Sequence, residues 1–129
     1  MAVKRTPEQE EVVKNRGGAL LVSAAAGSGK TRVLVERLMD YILQEGRNID
    51  EFLIITFTRA AAEELRARIA KEIAEALAAQ PDHAHLRQQT VRLYETQIST
   101  IHAFCTVLLR QWGHLLDIPG DFALCEDEE

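Results

Sequence analysis

The eight residues Ala24-Ala25-Ala26-Gly27-Ser28-Gly29-Lys30-Thr31 constrain this chain more than any other stretch. The apolar run Ala19-Leu20-Leu21-Val22 precedes them, and Arg32-Val33-Leu34-Val35-Glu36-Arg37-Leu38-Met39 follows with helical character. A strand, a glycine loop and a helix in that order aim backbone N–H groups and a helix N-terminus at one point, which suits a phosphate. Lys30 would reach the terminal phosphates of a nucleotide, and the Thr31 hydroxyl would hold its Mg²⁺. The pattern G-x-x-x-x-G-K-[ST] is met except at its first glycine, which is Ala24 here. Gly27 and Gly29 keep the backbone freedom that such a loop needs. The competing reading is a flexible turn of small residues. A lysine and a threonine directly after Gly-Ser-Gly, at the head of an amphipathic helix, argue against it.

A length of 129 residues corresponds to about one domain, enough to bury a core without staples. With 47% hydrophobic and 27% charged residues the composition is that of a soluble globular chain. No apolar run approaches the ~20 residues that span a bilayer, and the first residues carry no secretory signal pattern. Cys105 and Cys125 form neither a C-x-x-C pair nor a disulfide framework, which fits a reducing cytoplasm. His102 with Cys105 could be half of a metal site, but without a visible second half an ordinary histidine and a buried thiol are expected. The net charge is −5, and Glu126-Asp127-Glu128-Glu129 supply four of those charges, so residues 1–125 stand at −1. A nearly neutral body gives no support to strong non-specific nucleic-acid binding, and it leaves room for a local site.

Thr6-Pro7-Glu8-Gln9 predicts a helix start: Thr6 caps, Pro7 suits the first helical position, and Gln9 falls where a capping box closes. That helix runs to about Asn15 and stops at Arg16-Gly17-Gly18. A first strand is expected over Ala19–Ser23, then the loop, then a helix to about Gln44 with Gly46 as terminator. Leu53-Ile54-Ile55-Thr56-Phe57 reads as a buried strand. Thr58 then caps a long helix from Arg59 to about Ala79, on which Leu65, Ile69, Ile73 and Leu77 form one apolar stripe. Gln80-Pro81-Asp82 breaks it, and His83 to Tyr94 is again helical. Gln97–Ile101 reads as a third strand, followed by a helix through Trp112 that begins at Thr100 or His102. Strands alternating with helices, joined by connections too long for hairpins, predict an α/β fold with a mostly parallel sheet flanked by helices. A ligand then belongs at the carboxyl ends of the strands. The glycine loop, Thr56-Phe57-Thr58 and Ser99-Thr100-Ile101-His102 would share one edge.

Gln9, the glycine loop, Thr56-Phe57-Thr58-Arg59-Ala60-Ala61-Ala62-Glu63-Glu64-Leu65 and Thr100-Ile101-His102-Ala103-Phe104 occur in that order. This order resembles the start of superfamily 1 DNA helicases of the UvrD/Rep type. The loop, the insert containing His85-Leu86-Arg87 and the run Gln97–Cys105 are similar to the A subunits of bacterial ATP-dependent helicase/nucleases, the AddA type. The resemblance covers nearly the whole chain. It implies that residues 1–129 are the N-terminal part of a RecA-like, P-loop NTPase motor domain, carrying Q, Walker A, Ia and Ib-type motifs.

The resemblance also implies roles. Gln9 matches the glutamine that reads the adenine edge, and an amide can donate and accept at once; its other reading is the capping box, and both can hold. Residues Ala24, Ala25, Ala26, Gly27, Ser28, Gly29, Lys30 and Thr31 hold the phosphates of ATP, with Mg²⁺ on Thr31. Arg32 matches an arginine near the base, or is a solvated helix residue. Thr56, Phe57, Thr58 and Arg59 match a contact to single-stranded DNA, against a core Phe57 and a capping Thr58. Thr100 and His102 match a second DNA contact, against strand-end packing and a cap. The implied parent protein translocates on single-stranded DNA, works beside a B-type partner subunit at double-strand ends, and serves recombinational repair in the bacterial cytoplasm. It has no membrane partner.

The family also requires an acidic Mg²⁺ motif, an arginine finger, a second motor domain and a nuclease domain. Phe122-Ala123-Leu124-Cys125-Glu126-Asp127 only mimics the acidic motif, so the chain reads as a piece that does not hydrolyse ATP alone. Two rival readings are a self-contained small P-loop kinase or ATPase, and a non-catalytic nucleotide-binding interaction module.

Overall fold

A computed structural model of the chain describes residues 4–124. Helices dominate it: α1 (Pro7–Lys14), α2 (Lys30–Glu45), α3 (Arg59–Ala79), α4 (Ala84–Arg92) and α5 (Ile101–Trp112). Two short strands, β1 (Ile54–Thr56) and β2 (Ile98–Thr100), pair in parallel with Ile54 opposite Ile98, Ile55 opposite Ser99 and Thr56 opposite Thr100. Single 3-10 turns occupy Ile49–Glu51 and Gly113–Leu116.

The core is built on the stripe expected of α3. Ala62, Leu65, Ile69 and Ile73 are buried, and Leu77 is partly covered. They meet Val35, Leu38, Met39 and Ile42 of α2, Ile49, Leu86 of α4, Leu93, and Ile54 and Ile98 of the two strands. Each fully buried aliphatic side chain contributes about 1.5–3 kcal/mol by leaving water. Helix α3 thus covers one face of the sheet while α2 and α4 pack against α3.

Polar groups close the seams. Arg66 of α3 donates to the Thr96 carbonyl at 2.9 Å and also to the Leu93 carbonyl, tying α3 to the turn before β2. Gln89 of α4 is fully buried. Its carbonyl accepts from the Ile49 backbone N–H at 2.8 Å, and its amide donates to Asn48 Oδ1 at 3.0 Å. Helix α1 buries only Val13 and is held to α2 by charge. Lys14 and Arg16 pair with Asp40, Arg16 also pairs with Glu45, and the Arg16 guanidinium lies 4.1 Å over the Tyr41 ring. Partial burial of the Asp40 carboxyl works to raise its pKa. Hydrogen bonds from Lys14 and Arg16 outweigh that and hold it below the ordinary aspartate value.

Three expectations fail. Of Leu53–Phe57, read as a buried strand, only Ile54–Thr56 pair and only Ile54 is buried, because α3 covers one face and the other, with Leu53, Ile55 and Phe57, stays exposed. Ala19–Ser23 is not a strand: the segment pairs with nothing among the described residues, and Leu21 is 92% exposed. A strand exists only through hydrogen bonds to a neighbour, and an apolar run supplies the wish for burial without the partner. Cys105 is exposed rather than buried, because α5 buries none of its residues, and Cys125 lies outside the described residues. His102 is exposed too, and no group of three or more metal-ligating side chains occurs among the described residues. No described helix is long and apolar enough to cross a membrane.

Gln89→Leu keeps the volume but leaves the buried Ile49 N–H without its acceptor. It is expected to lower the unfolding free energy by about 1–3 kcal/mol, the cost of an orphaned buried donor. Urea denaturation followed by circular dichroism measures this, and a change below about 0.5 kcal/mol would contradict the role given to Gln89.

Candidate functional site

The glycine loop turns through two residues in the left-handed region, Gly27 at φ 76° and Gly29 at φ 86°. These are the conformations that favour glycine. The only non-glycine residue with positive φ among those described is Asp117. Ala24 therefore sits in ordinary backbone, and its departure from the glycine pattern costs no strain.

Helix α2 starts immediately at Lys30, and its start is unlike the others. The helices α1, α3, α4 and α5 are each capped by a side chain, from Thr6, Thr58, His83 and Thr100 respectively. Gly29 has no side chain to cap α2, and no acidic residue stands in the first turn. The first backbone N–H groups of that helix are thus left without an internal partner. Lys30 adds a full positive charge there and has no carboxylate within ion-pair range among the described residues. Its ammonium instead folds back onto the loop, donating to the Ala24 carbonyl and, at 3.1 Å, to the Ala25 carbonyl. Open N–H groups beside an unpaired cation form a cradle for an anion with several oxygens.

The cradle opens on a groove of about 820 Å³ between α1, the segment before the loop, and α2. Gln9, Ser23, Ala24, Ser28, Lys30 and Thr31 line it, together with apolar Val12, Leu20, Val22, Val33 and Leu34. Ala25, Ala26, Gly27 and Gly29 complete the loop itself without lining the groove. Glu8 and Arg37 line it too, whereas Arg32 does not. A pocket that joins a cationic loop to apolar walls suits a molecule with an anionic part and a flat apolar part.

Gln9 meets both its own helix start and the loop. It closes the capping box, its backbone N–H donating to Thr6 Oγ1 at 3.3 Å and its Oε1 accepting from the Thr6 N–H at 3.1 Å. Its Nε2 donates to the Ser28 carbonyl at 3.3 Å, inside the loop. Arg32 is not a solvated surface residue: its Nη2 donates to Gln9 Oε1 at 3.1 Å. A Cβ placed on Gly29 would stand 3.9 Å from both Arg32 Nε and Gln9 Nε2, so these two side chains lie directly against the loop.

Sequence reasoning passed over the ion pairs behind this arrangement. Glu36 accepts from Arg5 Nε at 2.6 Å and lies 3.4 Å from Arg32 Nε, while Arg5 also meets Glu10 at 2.8 Å. Hydrogen bonds to Glu10 and then Glu36 raise the Arg5 pKa above its ordinary value. The four-residue spacing of Arg32 and Glu36 signalled that contact. Nothing in the sequence signalled the reach from Arg5.

The second group of candidates collects elsewhere. Register places Thr56 opposite Thr100. Thr58 caps α3 through the Ala61 N–H at 3.1 Å, and Thr100 caps α5 through the Ala103 N–H at 3.3 Å. The Thr56 hydroxyl donates to the Thr58 carbonyl at 3.0 Å. Phe57 is not a core residue: it is 103% exposed, and Arg59 and His102 are exposed beside it. None of these residues lines the loop groove, so the candidates divide into two places. Glu126 and Asp127, read as a mimic of an acidic motif, lie outside the described residues.

Residues 5–129 match the family described as UvrD/REP helicase N-terminal domain. A protein of Lachnoclostridium phytofermentans, named as the A subunit of an ATP-dependent helicase/nuclease, is 48% identical over 126 residues, which covers 96% of this chain and 9% of that protein. Proteins of the same name from Oceanobacillus iheyensis and Listeria monocytogenes are 45% and 44% identical, covering 98% and 96% of this chain and 10% of each relative. The chain thus spans about a tenth of the length of these relatives. By its match over residues 5–129, the chain belongs to the UvrD/REP helicase N-terminal domain family.

Proposed function

We propose that residues 1–129 form the N-terminal part of the ATP-binding domain of a DNA helicase/nuclease, in its A-type chain, with the P-loop NTPase architecture of such motors. The observation that carries this reading is the uncapped start of α2, with Lys30 unpaired behind two left-handed glycines. ATP lies in the groove with its phosphates on residues Ala24–Thr31. Lys30 leaves the loop carbonyls for the phosphate oxygens, and Thr31 supplies a hydroxyl for Mg²⁺. Gln9 and Arg32 face the base. When bound, ATP supplies the free energy for movement along DNA.

Single-stranded DNA runs across the ends of β1 and β2. Phe57 offers a bare ring for a base, and Thr56, Thr58, Arg59, Thr100 and His102 surround it. Because Thr58 and Thr100 already cap helices, their hydroxyls share rather than devote themselves to phosphate. In the longer protein this grip serves translocation from double-strand ends during recombinational repair in the cytoplasm, beside a B-type partner subunit. The names of the relatives, which join a helicase and a nuclease and mark one chain of an assembly, support the helicase/nuclease part of that assignment and the partner chain.

Lys30→Ala is expected to weaken binding of a fluorescent ATP analogue by about tenfold or more, the scale of a lost charge-assisted contact. The far-ultraviolet circular dichroism should stay unchanged, since Lys30 is exposed. In the same samples, with Mg²⁺ and single-stranded DNA, phosphate release should stay near background. Glu8 is the only carboxylate among the described residues lining the groove, and it belongs to the first turn of α1. Equal affinities of the two proteins, or robust turnover dependent on Lys30, would defeat this reading.

Phe57→Ala is expected to weaken binding to a labelled oligo-dT by about fivefold or more, because stacking on an aromatic is worth about 1–3 kcal/mol per base. Fluorescence anisotropy across a salt series should show a shallow slope, about 0.7 in log affinity per phosphate contact. Unaltered binding by the variant would remove Phe57 from the DNA path.

A further inference from the structure

Beside the loop, Gln9 in the groove wall and Arg32 behind it hold an imbalance of donors and acceptors. Gln9 Oε1 has two lone pairs, and both are taken, by the Thr6 N–H at 3.1 Å and by Arg32 Nη2 at 3.1 Å. Gln9 Nε2 spends one N–H on the Ser28 carbonyl, which leaves one donor free. In this state Gln9 can donate to a ring nitrogen but cannot accept an exocyclic amine. Arg32 shows the complementary defect: its Nε is buried with no hydrogen-bond partner. Glu36 Oε1 lies 3.4 Å from it, while Glu36 Oε2 is fixed by Arg5 at 2.6 Å. An orphaned buried donor is costly, and a short movement of Arg32 would cure it.

We infer that Glu36 is a positioning residue for base selection: when an adenine amine takes over Gln9 Oε1, Arg32 leaves Gln9 and closes onto the Glu36 carboxylate that Arg5 holds in place. This rests on the reading that ATP occupies the groove. Adenine presents an amine donor beside its N7 acceptor, whereas guanine presents O6 and N7 as two acceptors. Only adenine requires Gln9 Oε1 to be cleared. Glu36 therefore favours ATP over GTP without touching either.

The test compares the 129-residue chain with Glu36→Gln, Glu36→Asp and Arg5→Gln by isothermal titration with ATP, GTP and inorganic tripolyphosphate, each with Mg²⁺. Glu36→Gln should weaken ATP by roughly fivefold to tenfold while GTP and tripolyphosphate stay within about twofold, as for one weakened charge-assisted contact. Glu36→Asp, which keeps the charge, should recover part of the loss. Arg5→Gln, which leaves the carboxylate but loosens it, should give a smaller loss confined to ATP. Equal losses for all three ligands would mark Glu36 as a prop for the fold and overturn the inference, as would unchanged ATP affinity in both Glu36→Gln and Arg5→Gln. An unsubstituted chain that binds tripolyphosphate and ATP equally well would also overturn it, while leaving the phosphate cradle standing. An unsubstituted chain that binds none of the three would remove the nucleotide reading together with the inference.

Discussion

The apolar stripe of α3 is the constraint on which the remaining structure depends. Ala62, Leu65, Ile69 and Ile73 recur at three- and four-residue spacing, so a single helix face meets α2 and both strands, with α4 packed beside it. Two strands of three residues each could not hold together unaided, since an isolated pair is marginal in water. Burial of Ile54 and Ile98 against α3 supplies what their few hydrogen bonds lack. The same stripe fixes where the strands end, and hence where Thr56 and Thr100 come together.

The end that carries the glycine loop is organised by different physics. Helix α1 buries only Val13 and depends on ion pairs and cation–π stacking to stay on α2. Partly exposed pairs of this kind are each worth at most about 1 kcal/mol and weaken with salt. The helix that carries Gln9 is therefore loosely moored, while the helix that carries Lys30 and Arg32 is anchored in the core through Val35, Leu38, Met39 and Ile42. A site assembled from one firm and one yielding element can adjust the Gln9 side while α2 stays in place.

Much of this was legible in the sequence where one local rule decided the outcome. The span of α3 follows from its stripe and the Thr58 cap, α2 ends at Gly46 because that residue takes φ 65°, and Thr6 with Gln9 wrote its own capping box. What failed was long-range. Ala19–Ser23 has the composition of a strand, but composition cannot name the neighbour that would pair with it. Cys105 and Phe57 looked like core by type, yet no element covers the faces that carry them. Arg5, Arg66 and Gln89 gave no signal because the partners that matter lie far along the chain. The separation is 31 positions for Arg5 and Glu36, 30 for Arg66 and Thr96, and 40 for Gln89 and Ile49. At the site, the type of each loop residue was readable, whereas the contact from Gln9 to Ser28 required three dimensions.

The parallel register of Thr56 and Thr100 has an electrostatic consequence. Each strand leads within a few residues into a helix, so the amino ends of α3 and α5 emerge side by side from adjacent strands. Each carries roughly half a positive elementary charge from its aligned peptide dipoles. Like ends at strand spacing repel, and neither helix places an acidic residue in its first turn to relieve them. The guanidinium of Arg59, at the head of α3, adds to a standing positive field whose backbone share cannot be titrated away by pH.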